Sequence, residues 1–189
     1  MSLHDRLIDI FFRAATSSRR VRTCLTLVGL LFFLIFVALF IVVPLRVDKL
    51  LGLPRLLPVS LSIIVSVPAL AIGLFLTLWA LLHFIKVKGT PVPFNPPPEL
   101  VATGPYAYVR NPMLTGWFIL LFGLGVLLGS ISLILIFTPL FVLLNVMELK
   151  AVEEPELEKR LGKEYVEYRK RVPMFIPRFR VRAKKGITK

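Results

Sequence analysis

Three long runs without a formal charge divide the chain: 25–45, 56–85 and 113–147. A membrane-crossing helix needs about 20 mostly apolar residues, because the hydrocarbon core is about 30 Å thick and a helix rises about 1.5 Å per residue. The first two runs meet that length, and Pro68 inside the second predicts a kink that neighbouring helices can satisfy. The first run follows a basic segment, as in a signal peptide. Its lead is long, however, its apolar stretch is extended, and no small-residue cleavage site follows. It is expected to be a retained span. The third run is too long for one crossing, and Gly129-Ser130-Ile131-Ser132 near its middle predicts a tight hairpin. Each arm has about 16 residues, which fits either a short crossing or a partly re-entrant hairpin. Pro139 is expected to bend the second arm. The predicted class is an all-α integral membrane protein with about four transmembrane helices, the last two forming the hairpin.

Beyond the third run the pattern changes. Leu157, Leu161, Tyr165, Tyr168 and Val172 recur at spacings of four and three, one face of an amphipathic C-terminal helix. Pro155 suits a first helical turn, and Glu153, Glu154 and Glu156 are favourable at the positive end of the helix dipole. Gly162 interrupts this helix and allows it to fall into two pieces.

Composition sharpens the membrane reading. Hydrophobic residues make up 56% of the chain and charged residues 19%, against about 25% charged in a soluble domain. The net charge of +13 suggests nucleic acid at first sight, but the long uncharged runs argue against such a partner. Hydrophobicity excludes disorder, and the single cysteine, Cys24, excludes a disulfide framework. Of the 24 basic residues, 21 fall in 1–24, in 86–112 and in the tail from Glu148, and three fall in 46–55. By the positive-inside rule both termini and the 86–112 linker are expected to face the cytoplasm. Segment 1–24 is then a basic cytoplasmic lead, 25–85 holds two spans, and 178–189 is a basic tail attracted to anionic headgroups.

Two polar clusters on that face are more than anchoring needs. The first is the run from Thr103 through Gly104, Pro105, Tyr106, Tyr108, Arg110, Asn111 and Pro112 to Gly116. Gly104-Pro105 reads as a turn, and Pro112 pre-sets the first turn of the next helix. The free N–H groups of that helix start, beside Arg110 and Asn111, suit a carboxylate or phosphate. Gly116 leaves room for close approach by a ligand or by another helix. A capped helix start with interfacial tyrosines and a snorkelling arginine accounts for the same residues. The second cluster is Glu148, Glu153 and Glu154, which could bind an ammonium or sulfonium group or stand solvated at a helix N-terminus. Arginine in one cluster and glutamates in the other suit a zwitterionic amino-acid moiety.

The segment Gly104-Pro105-Tyr106-x-Tyr108-Val109-Arg110-Asn111-Pro112-Met113-Leu114-x-Gly116 resembles the Arg-His-Pro-x-Tyr-x-Gly signature of isoprenylcysteine carboxyl methyltransferases and their phospholipid-methylating relatives. The pattern from Glu153-Glu154 through Leu157, Leu161-Gly162, Tyr165, Tyr168 and Val172-Pro173 to Ile176-Pro177 is similar to that family's C-terminal signature. The resemblance covers about 101–178 and makes 86–177 the expected methyltransferase core. It implies S-adenosylmethionine bound on the cytoplasmic side and a lipophilic methyl acceptor reaching it laterally from the bilayer. It further implies that Arg110 and Asn111 contact the cofactor, with Arg110 on its carboxylate. Glu153 or Glu154 would face its amino group or position the acceptor. Gly104, Pro105, Tyr106, Pro112 and Gly116 would shape the pocket, and Arg110 and Glu154 would carry the catalytic weight.

The sequence departs from the signature twice. Asn111 replaces the usual histidine and Leu114 the usual tyrosine. Asparagine still donates and accepts hydrogen bonds but cannot change charge near neutral pH. A methyl sulfonium is already activated, so transfer requires mainly positioning and electrostatics. A carboxylate acceptor needs no base, whereas an amine must lose a proton; a carboxylate of an isoprenylcysteine and an amine of a phospholipid both stay open. The rival class is a non-catalytic membrane scaffold or anionic-lipid-binding protein of the same fold.

Three further features complete the reading. His83 has no second histidine or cysteine near it for a metal site, so no metal is expected, and an interfacial hydrogen bond is its expected role. Cys24 is expected to be a buried thiol rather than a palmitoylation site. Pro91 to Pro98 reads as a stiff extended linker.

Overall fold

The computed structural model describes residues 9–10, 12–14, 16–87 and 99–177. The proline-rich 91–98 stretch and the 178–189 tail lie outside the described residues. Four apolar helices build the molecule: α1 (Arg19–Leu51), α2 (Val59–Lys86), α3 (Pro112–Leu128) and α4 (Leu133–Leu161), followed by a short α5 (Lys163–Arg171). Helices α1, α2 and α4 are long and apolar enough to cross a membrane; α3, at 17 residues, is shorter. The outer surface is apolar, with Phe32 at 71% and Ile64 at 66% exposure, the inverse of a water-soluble bundle. Cys24 belongs to this exposed surface rather than to the interior.

Between helices in lipid, packing and polar contacts replace the hydrophobic effect, and small residues let backbones approach. Helix α2 turns Ser62, Ser66, Gly73 and Ala80 inward on one stripe, and α3 answers with Gly116 and Gly123. The closest approach is Gly73 against Gly116. A Cβ on Gly73 would lie 2.8 Å from the Gly116 carbonyl oxygen, and one on Gly116 would lie 2.7 Å from that of Gly73 and press on the Thr77 hydroxyl. Of the two uses anticipated for Gly116, the near approach of a helix is the one seen.

Helices α1 and α4 are joined differently, by aromatic rings. Phe141 is fully buried and stacks on Phe36 at 5.5 Å between centroids, with Phe40 edge-on at 5.2 Å and Phe118 of α3 edge-on at 5.9 Å. Such edge and offset contacts match the ring quadrupoles.

The hairpin forms at Gly129 in the left-handed region. Its two helix ends are held by side chains from the α1–α2 connection and the end of α1. Asp48 accepts hydrogen bonds from the Ser130 hydroxyl and, at 3.0 Å, from the Ser132 N–H at the start of α4. Arg55 donates to the Leu127 carbonyl at 3.1 Å, at the end of α3. An acid at a helix N-terminus and a base at a C-terminus both suit the helix dipoles.

The expected break between the fourth apolar helix and the amphipathic C-terminal helix is absent. Helix α4 runs on through Glu148 to Leu161, and the C-terminal helix divides at Gly162, the division the sequence allows. Two wide π-turns, Leu133–Phe137 and Leu149–Glu153, precede Pro139 and Pro155 respectively. A proline lacks an N–H and crowds the carbonyl four residues earlier; a widened turn is one way a helix accommodates that. Gly162 has φ 61° and ψ −135°, a conformation that residues with a Cβ avoid, and there the chain turns into α5.

Helix α4 thus links the two ends of the bundle. At the end opposite the hairpin, Lys159 pairs with Asp9 and lies 4.8 Å from the Phe12 ring centroid, bringing the N-terminal residues beside its last turns. Replacing Gly116 by valine is expected to force α2 and α3 apart and to cost about 1–3 kcal/mol of stability. The check is a lowered midpoint of thermal unfolding in detergent.

Candidate functional site

At the end of the bundle opposite the hairpin, the two sequence signatures meet. The first begins as a single 3-10 turn, Gly104–Ala107, opened by Pro105. Gly104 has φ 59°, and a Cβ there would lie 2.6 Å from His83 Nδ1 of α2. His83 Nε2 and the Thr103 hydroxyl share a hydrogen bond of 2.9 Å. The expected interfacial hydrogen bond of His83 is therefore present, and it ties the turn to α2. Pro105 and Tyr106 are buried beneath it, with the Tyr106 ring edge-on to Phe84 at 4.9 Å.

The second signature closes over the first. The Tyr168 hydroxyl donates to the Tyr106 carbonyl at 2.7 Å. The Arg110 N–H donates to the Pro173 carbonyl at 2.8 Å, and the Asn111 N–H to that of Met174 at 3.1 Å. Phe175 packs on Phe118 of α3 at 5.1 Å. Segments more than 60 positions apart are thus pinned through their main chains, which fixes where the intervening side chains stand.

Arg110 and Glu154 face each other across this junction. Arg110 Nη2 lies 2.8 Å from Glu154 Oε1, and the side chains are only 11% and 12% exposed. The pair is close but poorly aligned: Glu154 Oε1 makes no hydrogen bond of good geometry, and Arg110 Nε is buried with none. Buried polar atoms in this state retain capacity for another partner. Arg169 of α5 approaches the second oxygen, Nη1 to Glu154 Oε2, at 3.9 Å, and pairs with Glu158 at 3.0 Å.

The predicted residues divide into groups. Arg110 and Glu154 are brought together, while Gly104, Pro105 and Tyr106 form the turn that packs on α2 and is tied to Tyr168 through the Tyr106 carbonyl. Asn111 caps α3 through its carbonyl, which receives the Thr115 N–H at 3.0 Å, and its side chain makes no capping bond. Pro112 is buried as the first residue of α3, and Gly116 faces α2. Glu153 acts electrostatically on Tyr106, whose phenol it helps to keep protonated, and on Tyr165 beside the ion pair. Sequence reasoning missed Arg169, which appeared only as part of a basic tail, and placed Glu156 at the helix dipole without its partner, Arg160, against which it is buried at 2.8 Å. The four-residue spacing of Glu156 and Arg160 was the available signal for the latter. Tyr165 and Tyr168 were placed correctly on one helical face, and that face walls the site. Among the described residues no group of three or more metal-ligating side chains assembles.

These features define an apolar helical protein with a charged, tyrosine-walled junction at one end of its bundle. The chain belongs to the phospholipid methyltransferase family, whose sequence model matches residues 61–164, more than half its length. It is 40% identical over 79 residues to the protein-S-isoprenylcysteine O-methyltransferase of Schizosaccharomyces pombe, covering 41% of this chain and 33% of that one. It is 34% identical over 101 residues to the nickel-cobalt-cadmium resistance protein NccN of Alcaligenes xylosoxydans xylosoxydans, covering 53% of this chain and 43% of that one. With the methanethiol S-methyltransferase of Crocosphaera subtropica it shares 29% over 96 residues, covering 51% and 34% of the two chains. The chain therefore spans less than half the length of each of these relatives.

The three buried phenols give a pH signature. Burial raises the Tyr106, Tyr165 and Tyr168 phenols well above the ordinary value of 10.0; Glu153 adds to this at Tyr106 and Glu154 at Tyr165, while Arg110 opposes it at Tyr165 and Tyr168. A raised acid contributes stability below its unfolded value and loses it as pH climbs above that value. Stability is expected to fall as pH rises beyond about 10, where unfolded phenols ionise and these do not. An absorbance titration of phenolate checks this: three of the four tyrosines are expected to stay silent until the fold opens.

Proposed function

We propose that the protein is a membrane-embedded methyltransferase that uses S-adenosylmethionine and methylates a lipophilic acceptor. The observation that carries this reading is the buried, imperfectly satisfied Arg110–Glu154 pair where the two signatures join. Such a pair offers what a zwitterionic amino-acid end requires, a guanidinium for its carboxylate and a carboxylate for its ammonium. The unpaired Arg110 Nε and the unaligned Glu154 oxygen fit that group.

When bound, S-adenosylmethionine supplies an activated methyl group on its sulfonium. The residues of this chain have to bind, orient and exclude water. Arg110 and Glu154 anchor the charged end, and the pinning of the first signature to Pro173 and Met174 holds both at fixed separation. Tyr106, Tyr165 and Tyr168, buried and neutral, shield the junction from water. Asn111, without a titratable side chain, serves as a polar contact to the cofactor. On this reading the chain makes four crossings, with α3 and the first part of α4 as a short hairpin, and this end of the bundle and both termini face the cytoplasm; the 21 of 24 basic residues carried by the corresponding sequence segments support it. The acceptor then arrives from the bilayer between the helices. It is either a carboxylate of isoprenylcysteine type, which needs no base, or a phospholipid amine, which has to release a proton.

Calorimetry on detergent-purified protein with S-adenosylhomocysteine tests the reading. Binding is expected, with Arg110→Ala and Glu154→Gln each weakening it by about tenfold or more, since each variant removes a charged partner. No heat at millimolar ligand with folded protein would leave the scaffold reading in its place. Labelled S-adenosylmethionine, incubated with membranes containing or lacking the protein, then separates lipid, protein and small-molecule acceptors by where the label partitions.

A further inference from the structure

We propose that Arg169 is a positioning residue of this site, holding Glu154 in place and thereby setting the affinity for the charged end of the cofactor. The inference rests on the function proposed above. Arg169 touches both members of the ion pair. Its guanidinium approaches Glu154 Oε2 at 3.9 Å, while its carbonyl accepts a long hydrogen bond of 3.4 Å from Arg110 Nη1. Glu154 is thus flanked at one oxygen by Arg110 and at the other by Arg169. A carboxylate held from two sides cannot turn freely about its terminal bond. A cationic group that competes with Arg110 for Oε1 leaves Oε2 with Arg169, so the acid keeps its orientation during the exchange.

Glu158 supplies the brace. It lies one helical turn beyond Glu154 on α4 and pairs with Arg169 Nη1 at 3.0 Å. Arg169 belongs to α5, across the Gly162 break, so the contact also bridges α5 and α4, but a pair this exposed adds little to stability. The Arg169 side chain is 34% exposed, less wet than the 44% of Glu158 and wetter than the 12% of Glu154. It stands at the mouth of the junction rather than inside it. Arg169 Nη1 stands between the two acids, and the planar guanidinium holds that nitrogen with more geometric definition than a lysine ammonium would.

A plain surface staple between α4 and α5 predicts something different, a loss of stability with no effect on ligand affinity beyond it. Calorimetry with S-adenosylhomocysteine, paired with thermal unfolding of each variant in the same detergent, distinguishes the two. Arg169→Ala is expected to weaken binding by about tenfold with little change in unfolding midpoint. Arg169→Lys is expected to recover part of that loss, and Glu158→Gln to produce a smaller one. Wild-type affinity in Arg169→Ala, with Arg110→Ala strongly impaired, overturns the positioning role and leaves the function standing. Affinity losses that follow the unfolding midpoint, with lysine no better than alanine, also overturn it, in favour of the staple. Absence of binding in the wild type removes the function and this inference together.

Discussion

A charge that leaves water must have a partner, and in this protein the main unsettled pairing is Arg110 with Glu154. Removing one member of a buried pair typically costs about 3–5 kcal/mol, because the other is left uncompensated. The pair therefore constrains everything that delivers its two residues. Arg110 arrives on a loop pinned at Thr103 by His83 and at its own N–H by Pro173. Glu154 arrives on the last turns of α4, whose other end is held at the hairpin by Asp48. The two residues are 44 positions apart, and their meeting requires that the hairpin return to the same end of the bundle.

The apolar middles of the helices supply that return without contributing charge. Close glycine contact between α2 and α3 and ring contact between α1 and α4 are distinct solutions to one problem, since lipid gives no hydrophobic reward for helix association. The glycine contact lets α3 start beside the end of α2, which is where His83 can reach Thr103 and Gly104. The ring contact sets α4 against α1 and brings Lys159 to Asp9. Packing in the apolar middle thus decides the geometry of the polar end.

Much of this was legible from the sequence, and the reasons are physical. Apolar length announces a membrane helix directly, so α1, α2 and the hairpin at Gly129 could be read off, and the two signatures announced both the family and the junction. The continuity of α4 was not legible. Glu148 to Pro155 has the composition of a helix boundary, and only the π-turn at Leu149–Glu153 shows how the chain passes the proline. The roles of Asp48 and Arg55 were hidden because their partners lie more than 70 positions away. Arg169 was hidden by its company, one basic residue among Lys163, Lys170 and Arg171, with only tertiary contact to single it out. For Gly116 the sequence allows two uses, and the structure shows the close approach of the α2 backbone.

The central claim is that the Arg110–Glu154 pair exists to be parted by a zwitterion. An experimental structure of the protein with S-adenosylhomocysteine tests it most directly. The account predicts the carboxylate of the ligand on Arg110 and its amino group on Glu154, with the direct contact between the two side chains opened. A ligand seated elsewhere, with the ion pair intact beneath Tyr106 and Tyr168, would contradict it.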